Sequence, residues 1–216
     1  MHKYAILKKA GLGVGYLASL PAVFAIILLC YFFVDRKVAE FFWAIPADAA
    51  VKQLFAALSY MGEAQYYLVP PLILYVLLRK RFAYAAQASL FVFSTVALSG
   101  IAVNILKFVF GRVRPELYFK ENLFGFDWFH YGHSFASFPS GHSATAFGAW
   151  LAFSLIAPGY RWFFITVGVL IASSRVVLTA HYVSDVIGGI YVGAVATLIL
   201  YNIMLRSQKD KLNHAN

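Results

Sequence analysis

Three short polar clusters interrupt an otherwise apolar chain: Lys107 with Arg114-Pro115, then Pro139-Ser140-Gly141-His142, then Ser174-Arg175 with His181 and Asp185. Cations this close to apolar runs are costly to hold beside lipid without a matching anion. Together with two histidines and a carboxylate they supply an anion site, a nucleophile, a proton donor and an orienting group. His181 and Asp185 are four apart, so on a helix they share a face. A carboxylate at one imidazole nitrogen fixes the tautomer and leaves the other nitrogen free to attack. Arg175 offers a planar fork of donors suited to phosphate oxygens.

Lys107 and Arg114 are spaced two helical turns apart, which predicts one helical face ending at Pro115. Gly111 lies midway on that face and would leave room for a ligand or a close backbone, while Arg112 points elsewhere. Ser140 is a good N-cap, and Gly141-His142 opens an apolar run. Unpaired N–H groups at a helix start attract anions, and glycine lets an oxyanion approach. His142 would stand beside that anion, placed to give a proton to a leaving oxygen. His130 and His133 are expected at the surface or entrance. Taken singly, each cluster also fits snorkelling cations or an ordinary helix cap. All three gathered on one face do not.

That gathering depends on the elements between them. The chain has 216 residues, 62% hydrophobic and 12% charged. A soluble domain carries about twice that charge fraction. The expectation is a single all-α membrane domain over residues 1–216. It would be a bundle of six spans: 17–34, 64–78, 82–110, 142–157, 162–178 and 186–205. The second is short and holds Pro70-Pro71. The charged start, Met1 to Leu12, resembles a signal peptide, but the run after it is long enough to be kept as a span. Cys30 is the only cysteine, so no intrachain disulfide can form.

The net charge of +9 does not point to nucleic acid, because the basic residues flank apolar spans instead of forming a stripe. With six spans, one face holds Lys3, Lys8, Lys9, Arg79, Lys80, Arg81, Arg161, Arg206, Lys209 and Lys211, with Asp210 its only acid. That face is then cytoplasmic, with both termini on it. The loops carrying all three clusters fall on the other face. The segment Lys37–Tyr60 is expected as an amphipathic surface helix. The aromatic-rich loop Glu116–Phe138 is expected as a lid or an interfacial anchor.

Lys107-x6-Arg114-Pro115, Pro139-Ser140-Gly141-His142 and Ser174-Arg175-x5-His181-x3-Asp185 resemble the three-part signature of the type 2 phosphatidic acid phosphatase superfamily. Every signature position is filled, and the small all-membrane frame resembles the bacterial lipid phosphatase branch. The resemblance implies metal-independent phosphoryl transfer in two steps, with no cofactor. His181 would become a phosphohistidine, Asp185 would orient it, and His142 would act as acid and then base. Lys107, Arg114, Ser140, Gly141 and Arg175 would hold the phosphate. It implies a phosphorylated lipid in the bilayer as partner, with no obligate protein partner, and a multi-pass place in a bacterial inner membrane with the site facing outward. Phosphatidylglycerol phosphate, phosphatidate, diacylglycerol pyrophosphate, undecaprenyl pyrophosphate and the 1-phosphate of lipid A all remain open. A lipid phosphotransferase would share every site residue. An anion transporter would place its charges nearer mid-membrane than these.

Overall fold

The structure, a computed structural model, describes residues 18–130 and 132–206, with the last two residues described by backbone alone. Nine α-helices are seen in it: α1 Leu20–Phe33, α2 Asp35–Trp43, α3 Ala50–Tyr60, α4 Gln65–Leu78, α5 Ala83–Phe110, α6 Pro115–Glu121, α7 Gly141–Ile156, α8 Arg161–Val177 and α9 Val183–Leu200. Among the described residues there is no strand, only an isolated antiparallel bridge between Arg112 and Phe126.

Among the described residues each of the six apolar runs is helical; in the last, expected at 186–205, α9 runs from Val183 to Leu200 and a π-helical turn, Tyr201–Arg206, follows. Three helical stretches are long and apolar enough to cross a bilayer by themselves: Ala83–Phe110, Pro158–Val177 and Val183–Met204. α4 keeps its helix through Pro70 and Pro71, which is tolerated when neighbouring groups satisfy the freed carbonyls. Lys3, Lys8, Lys9, Lys209, Asp210, Lys211 and the two chain ends lie outside the described residues. The segment Lys37–Tyr60 is two helices, α2 and α3, joined by a turn.

Two expectations about local shape are corrected. Lys107 and Arg114 do not share a helix, because α5 stops at Phe110. Gly111 caps it in the left-handed region, at φ 54°, a conformation only glycine adopts freely. A Cβ there would overlap the Asp127 carbonyl, so of the two uses expected of Gly111 the close backbone is the one seen. Likewise His181 does not sit on the helix of Asp185. It precedes the N-cap Tyr182, and Asp185 is the third residue of α9.

The bundle is centred on α7, which packs against α5, α8 and α9. The seam with α9 is built of small residues. A Cβ on Gly189 would strike the Ser140 carbonyl, and one on Gly193 would strike the Ala144 carbonyl. Thr197 Oγ1 donates to the Gly148 carbonyl across the same seam at 3.1 Å. Small residues let helix backbones approach closely where lipid gives no hydrophobic drive to associate. The approach sets two helix N-termini side by side, and Ser140 N–H donates to the Asp185 carbonyl at 3.0 Å. At the other end, Tyr67, Phe91, Val92, Val96, Ala149 and Ala152 form the apolar core. Trp150 Nε1 donates to Tyr67 Oη at 2.9 Å and ties α4 to α7.

Candidate functional site

The three clusters meet at the N-terminal ends of α7 and α9. His181 Nδ1 faces Asp185 Oδ2 at 3.5 Å, long for a hydrogen bond in the resting protein. The imidazole is 3% exposed and the carboxylate 0%. Burial pushes the His181 pKa down to about 4, against the opposing pull of Asp185. At neutral pH the ring is therefore uncharged, the form a nucleophile needs.

Asp185 is held on every side. Ser137 Oγ donates to Oδ2 at 2.6 Å, and Tyr182 N–H donates to the same oxygen at 2.9 Å. Arg112 Nη1 donates to Oδ1. Arg112 thus does not point away from the site, as the spacing of a continuous helix suggests. With α5 ended at Phe110, its guanidinium turns inward and is 1% exposed. Burial alone would lower its pKa, but Asp185 and Asp35 outweigh burial and raise it.

The cations of the signature have different surroundings. Lys107, Arg114 and Arg175 are half-buried and none is in an ion pair with a carboxylate among the described residues. The Lys107 ammonium lies 3.7 Å from where a Cβ on Gly141 would stand, over the start of α7. Arg114 Nε donates to the His133 carbonyl at 2.9 Å, which fixes its guanidinium at the loop 133–136. Burial and the charge of Arg175 lower the Arg114 pKa, so these two cations face each other. Two adjoining clefts of about 560 and 570 Å³ share Arg114 and His133; Lys107 lines one and Arg175 the other. His133 is exposed at their border, the entrance position expected of it. His130 lines the cleft of Lys107, also as expected, and pairs with Asp127 at 2.7 Å.

Ser140 caps α7: its Oγ accepts from Ser143 N–H at 3.3 Å and from Ser143 Oγ at 2.9 Å. His142 stands in the first turn. Its Nε2 lies 3.5 Å from Ser59 Oγ on α3, and the same hydroxyl accepts from Arg175 Nη1 at 3.0 Å. A Cβ on Gly62 would overlap the His142 ring. The turn after α3 therefore closes over His142, and its shape requires glycine.

Four residues at the site were not anticipated from the sequence: Asp35, Ser59, Gly62 and Ser137. Asp35 did carry a signal, as an acid at the end of a long apolar run, where a charge is costly to leave unpaired. The glycine before Arg112 was another, since a glycine after an apolar helix marks a C-cap.

The chain is similar to the lipid A 1-phosphatase of Rhizobium johnstonii, 35% identical over 176 residues, covering 76% of this chain and 72% of that one. It is similar to the lipid A 1-phosphatase of Rhizobium etli, 34% identical over 173 residues, covering 73% and 75%. A shorter likeness, 36% over 102 residues, joins it to the lipid A 1-phosphatase of Porphyromonas gingivalis, covering 45% of this chain and 20% of that one. No solved structure matches it. The model of the PAP2 superfamily matches residues 88–209, a stretch that contains all three clusters. From the gathered clusters, the family match and these relatives, the chain belongs to the PAP2 superfamily and is a lipid phosphatase.

Proposed function

We propose that the protein removes the 1-phosphate of lipid A or of a closely similar membrane lipid. The reaction would run at the outer face of a bacterial inner membrane, through a phosphohistidine and without a metal. The observation that carries the reaction is the buried, uncharged His181 set against a fixed Asp185 and beside cations that form no ion pair with a carboxylate among the described residues. The names and coverage of the Rhizobium relatives support the substrate. Six spans with both termini inside would put the clefts outward and let the lipid tails stay in the bilayer while the phosphate enters.

In the first step the free Nε2 of His181 attacks phosphorus. The bond from phosphorus to the lipid oxygen breaks, and His142 delivers its proton to that oxygen. Charge on the equatorial phosphate oxygens is met by Lys107, Arg114 and Arg175, with Ser140 and the Gly141 N–H at the helix start. The Asp185 carboxylate stabilises the imidazole as it gains positive character, and the 3.5 Å contact tightens. In the second step His142 takes a proton from water. The hydroxide attacks phosphorus, the P–N bond breaks, and phosphate leaves with His181 neutral again.

The test is trapping. Brief incubation with phosphate-labelled lipid A should label the wild-type protein in an acid-labile, base-stable form, and His181→Ala should carry no label. Phosphate release should be fastest from lipid A among lipid A, phosphatidylglycerol phosphate, phosphatidate and undecaprenyl pyrophosphate, and should survive a chelator. Label that persists in His181→Ala, or activity that collapses with the chelator, sinks the mechanism. Label passing to an added lipid acceptor instead of to water would make the protein a phosphotransferase.

A further inference from the structure

Behind Asp185, on the side away from His181, lies a second charge network that the signature does not contain. Arg112 reaches two carboxylates at once. Nη1 donates to Asp185 Oδ1 and, at 2.6 Å, to Ser184 Oγ. Nη2 donates to Asp35 Oδ2 at 2.7 Å. Asp35 stands at the start of α2 and is fully buried. It also accepts from Ser184 N–H at 2.9 Å and from Ser184 Oγ. Asp35 thus caps α9 from a helix about 150 residues away in sequence. The rings of Tyr182, Tyr31, Phe126 and Phe124 surround the guanidinium, with centroids 4.6, 5.1, 5.4 and 5.9 Å from its carbon.

A stability role alone does not require this arrangement. A buried ion pair often contributes little net stability relative to an apolar replacement. What it supplies is geometry and charge. Arg112 and Ser137 hold the two carboxylate oxygens of Asp185 from different sides, so the carboxylate cannot rotate. Arg112 is also shared. A one-to-one pair with Asp185 would leave no net charge behind His181. With Asp35 present, the group of three carries one net negative charge, directed at the imidazole.

We propose that Arg112 and Asp35 are positioning residues that lock the Asp185 carboxylate and preserve its negative charge for the nucleophile. This rests on His181 being the nucleophile. Both residues are buried, and neither lines the two clefts beside Arg114. Their loss should therefore lower kcat and the rate of phosphoenzyme formation, and leave KM nearly unchanged.

The experiment uses the full chain in detergent or vesicles, with lipid A as substrate, and compares Asp35→Asn, Arg112→Lys and the double variant. Misplacing a catalytic group by about 1 Å costs on the order of 100-fold. Arg112→Lys should lose about that much in kcat, because one ammonium cannot bridge both carboxylates. Asp35→Asn keeps the shape and removes the charge, and should lose about tenfold. The double variant should lose no more than Arg112→Lys alone, since both act through one carboxylate. The melting temperature of each is measured in parallel. A lowered melting temperature with unchanged kcat per folded enzyme overturns the proposal. So does a proportional rise in KM, or full additivity in the double variant. If wild type forms no phosphohistidine, the reading of the reaction fails and this inference fails with it. A trapped wild-type phosphoenzyme with normal kcat in Asp35→Asn fails this inference alone.

Discussion

Two groups of cations lie on opposite sides of the His181–Asp185 pair, and they are treated in opposite ways. Arg112, on the far side, is 1% exposed and meets two carboxylates within hydrogen-bond reach. Lys107, Arg114 and Arg175, on the cleft side, are half-buried and hydrogen bond only to neutral groups where they bond at all among the described residues. A cation that completes the fold is neutralised by the fold. On the proposed reading, the cleft cations keep their charge for a ligand, at a cost that phosphate would offset.

The comparison can be broken at its centre first. His181→Ala should abolish the phosphoenzyme and cut turnover by roughly 10⁴-fold or more, as loss of a covalent nucleophile does. Phosphate release measured against expression-matched wild type checks this. Next comes the cleft side. Arg175→Met should reduce kcat/KM by about 100-fold, the scale for one charge-stabilising donor, and should bind inorganic phosphate more weakly in a competition assay. The same substitution should leave the melting temperature nearly unchanged, which distinguishes Arg175 from Arg112.

A smaller effect should come from the turn over His142. Gly62→Ala places a methyl on the imidazole and should slow turnover about tenfold on lipid phosphates. An aryl phosphate, whose leaving group needs less protonation, should be hydrolysed almost as fast as by wild type. Equal losses on both would show that His142 is not the proton donor. The pH profile is subtler. An ordinary histidine is protonated below about pH 6.5, whereas His181 is held uncharged down to about 4. As the proposed nucleophile, His181 should stay active as pH falls through 6.5 and be lost only near 4. The acid limb of single-turnover phosphorylation should lie near that lower value, and a limb at 6.5 would contradict it. The least effect belongs to the Lys120–Glu116 pair, exposed at 62% and 57%. Exposed pairs of this kind contribute almost nothing, so Lys120→Ala should move neither melting temperature nor kcat.

Much of this was legible from the chain itself. Apolar length located the helices, so the expected span 82–110 and the observed Ala83–Phe110 nearly coincide. Spacing also pointed to His181 with Asp185, and to Ser140 as the cap of α7. The roles of Arg112 and Arg114 were harder, because they depend on where α5 ends. Read as helix, Gly111 put Arg114 above Lys107 and turned Arg112 away. Read as a left-handed cap, it releases both. Asp35 and Ser59 lie beyond any local pattern. Each joins the site through a contact spanning more than 80 residues of sequence, and periodicity carries no information at that range.

The glycine seam between α7 and α9 has a consequence for how the enzyme tolerates change. Gly189 and Gly193 lie against the backbone of α7 at Ser140 and Ala144, so no side chain fits between the two helices there. A single methyl at Gly193 would act as a wedge. It would spread the two helix starts and move the cap of α7 away from Asp185, though it adds no atom near phosphate. The alignment of the chemistry thus has a mechanical origin, in a contact between two backbones inside the bundle.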